Sequence, residues 1–96
     1  MSLSPSLEAE ILRVAREHGA KEVRVFGSRA RDDAREDSDL DLLVTLEDGR
    51  SLLDLVAIKQ DLEDALRLRV DVVTRAGLSP YLRDAVLAEA VTLGAA

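Results

Sequence analysis

The chain has 96 residues, 47% of them apolar and 33% charged, which suits one compact globular domain rather than a disordered segment. With no cysteine, no Trp, one Phe and one Tyr, it excludes a disulfide framework, thiolate metal sites and an aromatic platform for stacking single-stranded nucleic acid. Its apolar runs are far shorter than a membrane span, and "MSLSPSLEAE" lacks the basic and apolar regions of a secretion signal, so the expected location is the cytoplasm and no membrane is involved.

Ser4-Pro5 predicts a helix start, with Ser as N-cap and Pro in the first turn. Leu7, Ile11, Val14, Ala15 and His18 follow helical spacing, and Gly19 reads as the stop. Residues 21–26 predict a short strand with Val23 and Val25 on one face, ended by Gly27-Ser28. Ser28 is placed to cap a short helix running to about Ala34. Residues 39–46 alternate: Leu40, Leu42, Val44 and Leu46 on one face, Asp39, Asp41, Leu43 and Thr45 on the other.

After an Asp48-Gly49 turn, Ser51 and Asp54 form a capping-box pattern for a helix whose stripe is Leu52, Leu55, Val56, Lys59, Leu62 and Leu66. Lys59 fits that stripe by snorkelling. Residues 68–74 predict a third strand, with Asp71 alternating against Val70 and Val72. Ser79-Pro80 repeats the helix-start signal, and Leu82, Val86, Ala90 and Leu93 make the last stripe. There is no repeat and no linker. The expected order is α-β-α-β-α-β-α around one core, in a single domain spanning residues 1–96.

The charge is unevenly spread. Residues 36–48 carry six acids and no base, so this one stretch equals the whole net charge of −6. Such an excess repels phosphate backbones unless cations bridge them, and no direct nucleic-acid binding is expected. Charge runs are usually solvated loops, but this one overlaps a strand that otherwise reads as core.

Asp39 and Asp41, two apart on a strand, share a face at about 6.5–7 Å. Side chains can close that distance to bracket a metal pair, and hard oxygen ligands favour Mg²⁺ or Mn²⁺. If the strand carrying Asp71 lies alongside, the three carboxylates meet. Gly27 lets a phosphate approach the backbone, and Arg29 and Arg31 follow as phosphate donors. Asp37 reads as a solvated loop residue, Arg31 and Arg35 as surface, and His18 as a helix-end residue. Tyr81 reads as packing or surface, with self-modification as the functional alternative.

Gly27-Ser28, then "SDLDL" with Asp39 and Asp41, then Asp71 in "RVDVVT", resembles the DNA polymerase beta-type nucleotidyltransferase superfamily. "FGSRAR…DSDLDLLV" and the brevity look closest to the minimal nucleotidyltransferases, antitoxins paired with HEPN-domain ribonuclease toxins. The resemblance implies a small α/β (α+β) fold with a three-stranded mixed sheet and flanking helices. It implies transfer of AMP from ATP to a tyrosine hydroxyl of a toxin encoded next door. Asp39 and Asp41 would bridge two Mg²⁺ ions (or Mn²⁺), and Asp71 would hold the one that activates the hydroxyl. Gly27, Ser28 and Arg29 would contact the nucleotide. Two departures stand out: Asp32 where the family often has Gly, and Glu36 where Pro is frequent, so the turn after Ser28 is expected to end differently. The rival expectations are transfer to a small-molecule hydroxyl and a non-catalytic antitoxin that neutralises by binding.

Overall fold

Three serines start the three α-helices of the described residues. The hydroxyls of Ser4, Ser51 and Ser79 accept from the backbone N–H groups of Leu7, Leu53 and Tyr81. The computed structural model describes residues 3–94. They run α1 (Pro5–Glu17), β1 (Ala20–Phe26), a 3-10 turn (Gly27–Arg29), β2 (Leu40–Leu46), α2 (Leu52–Leu66), β3 (Val70–Val73), α3 (Pro80–Glu89) and β4 (Val91–Thr92). At Ser51 the Asp54 carboxylate also accepts from the Ser51 N–H at 3.0 Å, which completes the capping box.

The sheet is mixed, as expected, but it has four strands rather than three, in the order β3-β2-β1-β4. β1 lies antiparallel to β2 and β4, while β2 and β3 are parallel. The additional strand comes from the end of the presumed last helix stripe. Ala90 leaves the helix at φ −64, ψ 136, and Val91 and Thr92 pair with Val25 and Arg24. Ala90 and Leu93 fit a helical period, yet a β-branched pair beside an open strand edge gains ladder hydrogen bonds there. Leu93 reaches the core from beyond β4, and Leu82 is exposed.

One sheet face carries Val23, Val25, Leu40, Leu42, Val44 and Val70, all buried against Ile11, Val14 and Ala15 of α1 and Ile58 and Leu62 of α2. Each buried Val, Leu or Ile among them contributes about 1.5–3 kcal/mol by leaving water. The stripe of α2 is rotated from its expected position: Leu52 is 74% and Val56 49% exposed, and Ile58 is the residue at the centre of the contact. Leu55, Ile58, Leu62 and Leu66 keep the helical spacing that faces the sheet. No described helix is long and apolar enough to cross a membrane.

Lys59 does not merely snorkel. Its Nζ donates to the Val70 carbonyl at 2.8 Å and to Glu63 Oε2 at 2.9 Å, and Glu63 Oε2 accepts from the Val70 N–H at 2.9 Å. Two α2 side chains thus satisfy the outer edge of β3 where it begins, and the strand is shorter than the expected 68–74. This anchors the strand that carries Asp71.

Candidate active site

The face of the sheet opposite the core holds the acidic residues. β2 and β3 pair in parallel register with Asp41 directly opposite Asp71, and β1 places Phe26 opposite Asp41 on the other side. Residues opposite one another in neighbouring strands point the same way. The last residue of β1 and two aspartates therefore share one face, with the Gly27 turn immediately beyond.

Asp41 is half-buried, and its carboxyl is pushed up to about 6. Burial is the largest cause, followed by the charge of Asp71 and a side-chain hydrogen bond with it, then the charges of Asp39 and Glu89. A hydrogen bond between two carboxyl groups needs a proton between them, which explains why the shared site favours the neutral acid. Asp39 precedes β2 and is exposed, and Asp71 is exposed as well. The structure brings Asp41 and Asp71 into contact and keeps Asp39 within electrostatic range. Among the described residues, no three His, Cys, Asp or Glu side chains gather as a ready metal cage. Their donor chemistry nevertheless fits a hard divalent cation: only carboxylate oxygens, one held in a place that disfavours its charge.

Gly27 adopts φ +75, and a Cβ there would collide with Asp41 Oδ2. The left-handed backbone favours glycine, and a side chain there would also push the Asp41 carboxylate aside. The Gly27 N–H donates to Glu89 Oε1 at 2.8 Å, and Arg31 Nη1 donates to Glu89 Oε2 at 3.1 Å. Ser28 follows within the 3-10 turn, which replaces the expected helix to Ala34. Asp32 stands at φ 63, where glycine is free of strain and Asp is better tolerated than most residues. The departure at Asp32 therefore leaves the left-handed turn in place.

Arg29, expected at the nucleotide, is 5% exposed. Its Nη2 donates to the carbonyls of Glu36 and Ser38 at 3.1 and 2.9 Å, and Ser38 Oγ accepts from the Arg35 N–H at 2.7 Å. This guanidinium braces the loop that delivers Asp39. Glu89 is the site residue that sequence reasoning missed. It lies 62 positions from Gly27, and nothing local to it marks the contact.

A mixed sheet that sets a Gly-Ser turn against paired strand aspartates is the architecture of a nucleotidyltransferase. The model of the nucleotidyltransferase domain family matches residues 9–93, and the chain belongs to that family. Its relatives include "Putative protein adenylyltransferase MJ0435" of Methanocaldococcus jannaschii, 44% identical over 85 residues, covering 88% of this chain and 91% of that protein. Protein adenylyltransferase MntA of Thermococcus cleftensis is 44% identical over 73 residues, covering 76% and 74%.

Among solved structures, a "putative minimal nucleotidyltransferase" shares 53% identity at a TM-score of 0.77, covering 90% of this chain and 88% of that one. The fold is also that of one chain in the structure of the tri-AMPylated Shewanella oneidensis HEPN toxin in complex with MNT antitoxin, at a TM-score of 0.72 and 22% identity, covering 95% of this chain and 71% of that one. The chain is an enzyme of the nucleotidyltransferase type, of the minimal kind.

Proposed function

We propose that this chain moves AMP from ATP onto a tyrosine hydroxyl of a HEPN-domain ribonuclease and silences it, as the antitoxin of a toxin–antitoxin pair. The observation that carries the reading is the in-register Asp41–Asp71 pair beside the Gly27 turn. The adenylyltransferase relatives support AMP as the transferred group, and the fold shared with a chain of an MNT antitoxin–AMPylated HEPN toxin complex supports the partner.

In this reading Gly27 and Ser28 hold the triphosphate, and Arg29 keeps the Asp39 loop in reach of it. Asp39, Asp41 and Asp71 would hold Mg²⁺ or Mn²⁺, as two ions, which would supply the positive charge that neutralises the phosphates and eases attack at the α-phosphorus. Asp71, exposed at the open side of the site, faces the acceptor hydroxyl. The bond from that oxygen to the α-phosphorus forms as the bond to pyrophosphate breaks, and the hydroxyl proton passes to the Asp71 carboxylate. Residues 1–96 act as one domain, and the partner supplies the acceptor. The acidic stretch turns nucleic acid away, and the pair works in the cytoplasm.

The test is the intact mass of the partner after incubation with ATP, Mg²⁺ and this chain. Wild type is expected to add one or more AMP groups, and Asp39→Asn with Asp41→Asn to add none while still binding. A partner of unchanged mass that is nonetheless inhibited equally by both would overturn the enzyme reading.

A further inference from the structure

Glu89 is placed where a carboxylate should be uncomfortable. It is the last residue of α3, and the negative end of a helix dipole disfavours an anion; the last turn of α3 holds no basic residue. It also shares the Gly27 corner with the Asp41 carboxylate, a group of the same charge. Two donors offset these costs: the Gly27 N–H at 2.8 Å and Arg31 Nη1 at 3.1 Å. Both Glu89 oxygens are used, and the side chain is 28% exposed. The corner between Gly27 and Arg31 therefore receives an anion, and the protein supplies one from its own last helix.

We infer that Glu89 is an internal competitor for the phosphate-binding corner, a specificity-determining residue that occupies the Gly27 N–H and Arg31 until a cation-loaded triphosphate displaces it. The inference rests on the reading of Gly27 and Ser28 as triphosphate holders. A phosphate oxygen requires the same donors that Glu89 accepts from, so both cannot be satisfied at once. Asp39, Asp41, Asp71 and Glu89 together repel a bare polyanion. A triphosphate carrying a divalent cation brings the positive charge that offsets this repulsion. Displacement needs only rotation of the Glu89 side chain, which is partly exposed. Glu89 thus raises the apparent dissociation constant of nucleotides by the inverse of the fraction of time it leaves the corner free.

The probe is the non-hydrolysable analogue AMP-PNP with Mg²⁺, titrated by calorimetry into wild type, Glu89→Ala and Glu89→Gln. Glu89→Ala is expected to bind about tenfold more tightly than wild type, by removal of the competing state. Glu89→Gln retains an acceptor oxygen for Gly27 without the charge, keeps folding undisturbed, and is expected to tighten binding by a smaller factor. In the free protein the Gly27 amide proton should move upfield in Glu89→Ala. With saturating analogue it should coincide in all three proteins, because phosphate then replaces the carboxylate. Wild-type binding that neither variant tightens, or a Gly27 amide unmoved by Glu89→Ala, would overturn this inference alone. No binding of the analogue by any of the three would remove the triphosphate reading and this inference with it.

Discussion

Replacing Asp41 by Asn should stabilise the metal-free protein at neutral pH and do nothing for it in acid. Asp41 carries a carboxyl raised from 3.8 to about 6 by burial and by Asp71. A raised pKa means that the folded state holds its proton more tightly than the unfolded chain does. The stability this provides is complete below pH 4 and is lost as the pH rises through 6. The shift of roughly two units sets a ceiling of about 3 kcal/mol, at about 1.4 kcal/mol per unit. Because the side chain is only half-buried, solvent screening reduces this to about 1 kcal/mol.

Asn is close in shape and its amide can donate to Asp71, so the charge is what the substitution removes. In a domain this small, 1 kcal/mol moves the Tm by about 4–8 °C. Thermal unfolding in a chelator should therefore show Asp41→Asn melting higher than wild type at pH 7.5, with the difference vanishing near pH 4. Added Mg²⁺ with AMP-PNP should reverse the order, because only wild type gains from mass action. An Asn variant that melts no higher than wild type at pH 7.5, or gains equally at both pH values, would refute the reasoning.

Gly27→Val should destabilise the fold by about 2 kcal/mol through its left-handed backbone and contact with Asp41, and should abolish AMP-PNP binding in calorimetry. Arg29→Ala should cost about 2–3 kcal/mol in urea unfolding and loosen the carbonyls of Glu36 and Ser38, seen as faster amide exchange across 36–39. Arg67, the C-cap of α2 at φ 57, should become Gly with a gain of about 0.5–1 kcal/mol, read as a higher Tm without altered nucleotide binding. The carboxyl of Glu63 lies below its usual range, first because it accepts from the Val70 N–H and then because Lys59 donates to it. Its contribution is present at neutral pH and lost as the pH falls through the lowered value. Glu63→Gln should therefore differ from wild type in melting at pH 7 and not near pH 3.

The features written in local chemistry were legible. Ser4-Pro5, Ser51 with Asp54 and Ser79-Pro80 mark helix starts because a short side chain meets the orphan N–H groups of its own next turn. Alternation along 39–46 identified β2 because one face is core. The nearness of Asp41 and Asp71 followed once β2 and β3 were neighbours, and their register then set the contact. What eluded the sequence depends on distant chain. β4 is two residues long and exists because the edge of β1 is open to it. Ile58 took the centre of α2 because the sheet, rather than helical spacing alone, selects the buried face. Glu89 meets Gly27 only after α3 and β4 are docked. Arg29 reads as a phosphate donor beside Gly-Ser, and only its burial reveals that it holds the Asp39 loop from behind.

The central claim is covalent silencing of a partner ribonuclease, and the direct measurement is whether silencing outlasts the antitoxin. The partner is incubated with this chain, ATP and Mg²⁺, the chain is then removed under denaturing conditions, and the refolded partner is assayed on RNA. A partner refolded from incubation without ATP provides the active reference. Ribonuclease activity is expected to stay low after ATP and wild type, and to recover fully after ATP and Asp39→Asn with Asp41→Asn. Full recovery after the wild-type incubation would contradict the claim, since inhibition that leaves with the antitoxin is binding and not chemistry.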